Sequence, residues 1–100
     1  MKPLLDVLVI LDALEKEGSF AAASAKLYKT PSALSYTVQK LESDLNIQIL
    51  DRTGHRARFT RTGQMLLEKG RDVLHTVREL EKQAVKLHQG WENEDRKSVV

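Results

Sequence analysis

The sequence predicts a mainly α chain in which three helices support a two-stranded β-hairpin and one long helix follows. Three observations predict it. Apolar stretches of helical length are bracketed by residues suited to capping, with Pro3 and Gly18, Ser19, Thr30 and Asn46 at the expected ends. A period-two stretch surrounds a glycine-containing turn at Thr53-Gly54-His55-Arg56. From Thr62 to about Gln89 no proline intervenes, and apolar residues return at alternating steps of four and three.

The first helix is carried by Leu4, Leu5, Val7, Leu8, Val9, Ile10, Leu11 and Leu14. Pro3 suits a first helical turn, and Gly18 suits the left-handed position that closes one. These apolar residues cover more than the single stripe a surface helix needs, so the helix is expected to pack on its own domain and against something else, such as a partner subunit. Ser19 then caps a short second helix, Phe20 to about Leu27, whose Ala21, Ala22, Ala23 and Ala25 permit close approach of a neighbour. Thr30 caps a third, with Pro31 in its first position and its end near Leu45, where Asn46 tolerates the left-handed conformation. Two helices joined by three or four residues have the geometry of a helix-turn-helix.

At 100° per residue, Leu34, Val38, Leu41 and Leu45 of the third helix fall within about 60° of one another and form its buried stripe. Opposite stand Ser32, Tyr36, Gln39, Lys40 and Ser43. That face is short of carboxylates in its first three turns, where a solvated surface more often carries Glu/Lys pairs, and is rich in hydrogen-bonding groups.

Ile47 to Asp51 then alternates, and strands at about residues 48–51 and 57–60 are expected around the turn. Two strands alone are marginal, so they must lean on the helices as a wing. The whole is a winged helix-turn-helix over residues 1–61. In the long helix, 62–90, Leu66, Gly70, Val73, Val77, Leu80, Ala84, Leu87 and Trp91 form a heptad seam. Such a helix, on the order of 40 Å long, exceeds what a small domain covers. It asks for a second copy or another domain; the alternative is a solitary amphipathic helix folded back on the core, which Leu67 and Leu74 beside the seam make less attractive. Residues 91–100 are expected as a disordered tail, or as residues appended to the fold.

One hundred residues bound the chain at one small domain with one extra element, too small for a large enzyme. The absence of cysteine excludes a disulfide scaffold and thiolate metal sites, and is simplest in a reducing cytoplasm. Leu4 to Leu14 is interrupted by Asp6 and Asp12 and falls short of a membrane span; its flanks do not suit a signal peptide. The net charge of +2 says little, but its distribution says more. Residues 46–75 carry six Lys/Arg against three Asp/Glu, whereas 1–45 carry five against six and 76–100 five against five. Arg52, Arg56, Arg58 and Arg61 lie within ten residues, a local basic patch of the kind a nucleic-acid contact needs, or equally a solvated basic loop. His55, His75 and His88 sit in no nucleophile, metal or phosphate-cradling motif, so no catalytic site, metal or cofactor is expected.

Gly18-Ser19-Phe20, Ala22-Ala23, Leu27, Ser32-Ala33-Leu34-Ser35, Leu41-Glu42, Leu45, Ile49-Leu50-Asp51-Arg52, Phe59-Thr60 and Gly63 together resemble the N-terminal region of LysR-type transcriptional regulators, a bacterial family. The likeness spans about residues 4–90 without gaps. It implies a winged helix-turn-helix that binds double-stranded DNA, a linker helix that pairs in a homodimer, and a larger effector-binding domain. One hundred residues do not hold that last part, so the expectation is a DNA-binding piece of a longer regulator, or a shortened one, with any small-molecule effector acting through the domain not contained here. Two positions depart from the family pattern. Pro31 stands where many members have glutamine, and Tyr36 where many have Arg or Lys, so base preference is expected to differ. Asn46 in place of the usual glycine is conservative.

A helix-turn-helix places its second helix in the major groove, N-terminal residues foremost. Ser32, Tyr36 and Gln39 are expected to read base edges or methyl groups, Gln39 being able to pair with adenine. Thr30 and Ser35 are expected on phosphates, with Lys40 on the same face. In the wing, Arg52, His55 and Arg56 are candidates for phosphate or minor-groove contact, and Arg58 for pointing away; Arg52 has the alternative of pairing with Glu42. Two copies, joined through the linker helix and the first helix, would present two such helices about 34 Å apart, hence to an imperfect inverted repeat.

Overall fold

A computed structural model of the chain describes residues 3–54 and 58–98, with side chains through residue 90. The order is α1 (Leu4–Glu17), α2 (Phe20–Lys26), α3 (Pro31–Leu45), β1 (Leu50–Asp51), β2 (Arg58–Phe59) and α4 (Arg61–Ser98).

The caps act as their residue types dictate. Gly18 adopts φ +86°, and its N–H donates to the Leu14 carbonyl at 2.8 Å. Ser19 and Thr30 accept from the N–H groups of Ala22 and Ala33, each at 3.1 Å. Asn46 closes α3 at φ 54°, ψ 51°. Val7, Leu11, Leu34, Val38 and Leu41 meet in a fully buried core with Ile49 and Leu50, and Ala23 admits α2 to it. Leu45 departs from the expected stripe. It is 41% exposed, because α3 there has run past the end of the core.

The hairpin is shorter than the alternation predicts. Among the described residues it pairs Leu50 with Phe59 and Asp51 with Arg58, antiparallel. Its stability is borrowed from α3, where one oxygen of the Glu42 carboxylate accepts from the backbone N–H of Ile49 at 2.7 Å and of Leu50 at 3.2 Å. The N–H of Ile49 is thereby turned to a side chain rather than to a partner strand. Thr60 ties the hairpin to the last helix: its hydroxyl donates to the Gln48 carbonyl at 2.6 Å and accepts from the Gly63 N–H at 3.0 Å.

With Thr60 as its cap, α4 begins at Arg61 and continues to Ser98. Over 91–98 the expected disordered tail is corrected: the helix runs on, since these residues contain neither proline nor glycine to stop it, and residues 99–100 lie outside the described residues. The seam also divides. Gly63, Leu67, Gly70 and Leu74 turn inward. A Cβ at Gly63 would collide with the Ile49 carbonyl, and one at Gly70 would lie 2.5 Å from Leu8 Cδ2, so α4 rests directly on Ile49, just ahead of β1, and on α1. Gly70, assigned by its spacing to the outward seam, thus belongs to the core. Arg71 Nε donates to Asp12 at 2.8 Å across α1 and α4, and Lys16 reaches the same carboxylate at 3.1 Å. Burial acts to raise the Asp12 pKa, but the bonds from Arg71 and Lys16 outweigh it and hold the carboxyl below its ordinary value.

Candidate nucleic-acid interface

The two faces of α3 separate sharply. Leu34, Val38 and Leu41 are 0% exposed, and on the other side Ser32, Tyr36, Gln39, Lys40 and Ser43 all face solvent, Tyr36 at 67% exposure. A buried stripe this complete fixes the helix about its own axis, so the outer side chains are presented in one orientation.

The N-terminal turn has a specific hydrogen-bond economy. Pro31 has no N–H, the Ala33 N–H is taken by Thr30 Oγ1, and that of Leu34 by the Thr30 carbonyl at 3.2 Å. The Ser32 N–H is left without a partner among the described residues. This end offers an anion less than a fully open helix terminus does. The Thr30 hydroxyl, used there as an acceptor, still has its own proton to donate. One turn on, Gln39 Nε2 donates to Ser35 Oγ at 3.3 Å, which restrains the amide and leaves the Ser35 proton available. Phe20 of α2 and Pro31, Ser32, Ser35, Tyr36 and Gln39 of α3 line an open cleft on this face.

Two basic residues already have partners. Lys40 lies 3.8 Å from Asp44, an exposed i, i+4 pair of small energetic weight from which the ammonium can depart. Arg52 Nη1 donates to Glu42 at 3.3 Å, the alternative named above. That bond places Arg52 in the docking of the hairpin on α3. Arg58 is exposed and opposes Asp51 across the hairpin. The Asp51 carboxyl is held below its ordinary value first by the Thr53 hydroxyl and backbone N–H, with Arg58 adding to it. His55 and Arg56 lie outside the described residues.

Sequence reasoning missed two features. Glu42 bonds the backbone of β1 as well as Arg52; its place in the Leu41-Glu42 pair, facing the start of the strand, was the available signal. Tyr28 takes φ 56° and is 95% exposed, a conformation a bulky aromatic gives no reason to expect. It lets the Lys29 N–H reach the Ser24 carbonyl at 2.9 Å and so turns the chain between α2 and α3.

On α4 the expected dimerisation residues fall into two groups. Leu66 is half-buried and packs on the core. Val73, Leu80 and Leu87 are 44%, 63% and 75% exposed, with Ala84 also exposed and Val77 half-buried between them. The Trp91 side chain lies outside the described residues. Among the described residues no group of His, Asp and Glu is placed to hold a metal ion, and no helix is long and apolar enough to cross a membrane.

The sequence pattern described as bacterial regulatory helix-turn-helix protein, lysR family, matches residues 5–64. The chain belongs to the lysR family. Among its relatives, the HTH-type transcriptional regulator YeeY of Escherichia coli K12 is 90% identical over 94 residues, covering 94% of this chain and 30% of that protein. The probable HTH-type transcriptional regulator YhaJ of the same organism is 50% identical over 88 residues, 88% of this chain and 30% of that one. The lysR chain described here thus spans about three tenths of the length of these relatives. Among solved structures, the BenM DNA-binding domain in complex with catB site 1 DNA superposes with a TM-score of 0.79 at 28% identity, over 86% of this chain and 92% of that one.

Proposed function

We propose that this chain is the sequence-specific DNA-binding part of a lysR-family transcriptional regulator, acting as a homodimer on double-stranded operator DNA in the bacterial cytoplasm and catalysing no reaction. Residues 1–61 form the DNA-binding unit, and 62–90 serve as linker and dimerisation helix. The observation that carries the reading is α3: a helix locked by three fully buried residues that turns Ser32, Tyr36, Gln39 and Lys40 to solvent. Laid in the major groove, those side chains meet base edges, while the protons of Thr30 and Ser35 meet phosphates. His55 and Arg56 follow the wing to the backbone or minor groove. Arg52, held by Glu42, contributes to wing placement first and to phosphate only through its remaining N–H groups.

The uncovered stripe of Val73, Val77, Leu80, Ala84 and Leu87 supports pairing with a second copy, since a small protein rarely leaves a continuous apolar patch in water. Leu4, Leu5 and Val9 of α1 stay 41%, 50% and 37% exposed, apolar area that a second copy can also use. Two α3 helices in successive grooves then favour an imperfect inverted repeat. An effector, where there is one, acts through a separate domain.

The reading is tested by titrating random duplex DNA across a salt series. Several phosphate contacts per dimer predict a steep fall in affinity, about a thousandfold or more between 50 and 200 mM salt for six or more contacts. A coiled-coil adaptor with no DNA role would show no binding at any salt concentration.

A further inference from the structure

The two positions at which this chain departs from the family pattern, Pro31 and Tyr36, are brought to the same place. Both line the cleft between α2 and α3, with Phe20 beside them and Ser32, Ser35 and Gln39 around them. Where many relatives carry a glutamine and a basic side chain, this chain therefore has two rings that line one cleft with a third. Beyond the Ser35 proton the lining offers an anion no fixed cation, and Pro31 has removed one backbone donor from the helix end, so a phosphate is a poor occupant of the space between Pro31 and Tyr36. An apolar group that meets the Phe20, Pro31 and Tyr36 side of this open cleft is a better one, and in the major groove only thymine, through its methyl, presents one on an unmodified base.

Resting on the DNA-binding reading above, we infer that this cleft seats the 5-methyl group of a thymine, with Pro31 and Tyr36 as the specificity-determining residues. Gln39, restrained by its bond to Ser35 at 3.3 Å, then addresses a purine next to that thymine. The cleft lies on the exposed face, and Tyr36 is 67% exposed, so the ring is available without disturbing the core.

The test uses the whole chain and duplexes selected by it from a random pool. Each thymine of a selected duplex is replaced in turn by deoxyuridine, which removes the methyl and nothing else. One thymine in each half-site is expected to weaken binding about fourfold, the effect of withdrawing one buried methyl-sized group. The Tyr36→Ala variant should bind thymine and uracil versions alike, and Tyr36→Phe, which keeps the ring, should restore the gap. Circular dichroism of both variants reports whether they remain folded. Selected duplexes that bind equally well with uracil at every position would overturn the methyl seat while leaving DNA binding intact. A gap that persists in a folded Tyr36→Ala would place the methyl elsewhere and overturn it too. If no duplex is retained at all, the DNA-binding reading fails and this inference with it.

Discussion

The two halves of α4 share one rhythm and meet different surroundings. From Gly63 to Leu74 the inward residues are covered, Gly63 by Ile49 and Gly70 by Leu8 of α1, with Leu67 at 2% and Leu74 at 7% exposure. From Leu80 to Leu87 the apolar stripe lies open among the described residues, with Leu80 63% and Leu87 75% exposed. The buried residues lie to one side of the uncovered ones, so α4 carries two adjoining seams rather than one. The lesson is that a heptad pattern announces an apolar face without naming what covers it. The glycines discriminate better: Gly63 and Gly70 are small because another backbone or side chain arrives at contact distance, whereas a Cβ at Gly90 would meet nothing within 4 Å.

That contrast can be broken most severely at Gly63. An alanine there meets the backbone of Ile49, which cannot step aside as a flexible side chain would, and Gly63→Ala is expected to destabilise the fold by about 3 kcal/mol in urea unfolding. A loss below about 0.5 kcal/mol would mean that α4 does not lie so close to the Ile49 backbone. Next in size, Leu67→Ala should cost about 2–4 kcal/mol whatever the protein concentration. Leu80→Ala, by contrast, should leave the monomer's stability unchanged and weaken self-association, seen as a loss of the concentration dependence of Tm. Equal and concentration-independent effects of the two would erase the distinction between the seams.

A smaller effect is expected at the Asp12–Arg71 pair, which joins α1 to the covered half alone. The carboxyl's pKa is lowered in the folded state, so its contribution is fully present above the ordinary carboxylate value and is lost as the pH falls through the lower folded one. Wild type and Asp12→Asn should therefore differ by about 1 kcal/mol or less near neutrality and converge in acid. Urea midpoints between about pH 2 and 6 measure this, and a difference that grew on acidification would reverse the sign. Smallest of all, Gly90→Ala should stabilise α4 by about 0.5–1 kcal/mol, since only helix propensity is at stake there.

Much of this architecture is legible in particular residues. Gly18, Ser19, Thr30 and Asn46 declare the helix ends because each type has a local reason to be there, and Leu34, Val38 and Leu41 orient α3 because the helical period is geometric. What was not legible depends on long-range neighbours. The hairpin's extent depends on the Glu42 carboxylate taking the N–H groups of Ile49 and Leu50. The inward place of Gly70 depends on where Leu8 lies. In the candidate interface, Ser32, Tyr36, Gln39 and Lys40 are placed outward as their spacing implies. The cleft that Ser32, Tyr36 and Gln39 share with Phe20 is a property of two helices and has no signature in either.

The central claim is that α3's outer face meets DNA while the distal stripe of α4 meets a second copy. The chain has no cysteine, so single-cysteine variants at each surface can be labelled cleanly. Thiol modification of Gln39→Cys should be fast in the free protein and strongly slowed by saturating selected duplex, and that of Leu80→Cys should slow with rising protein concentration whether or not DNA is present. Modification of Gln39→Cys at the same rate with and without bound duplex would contradict the claim.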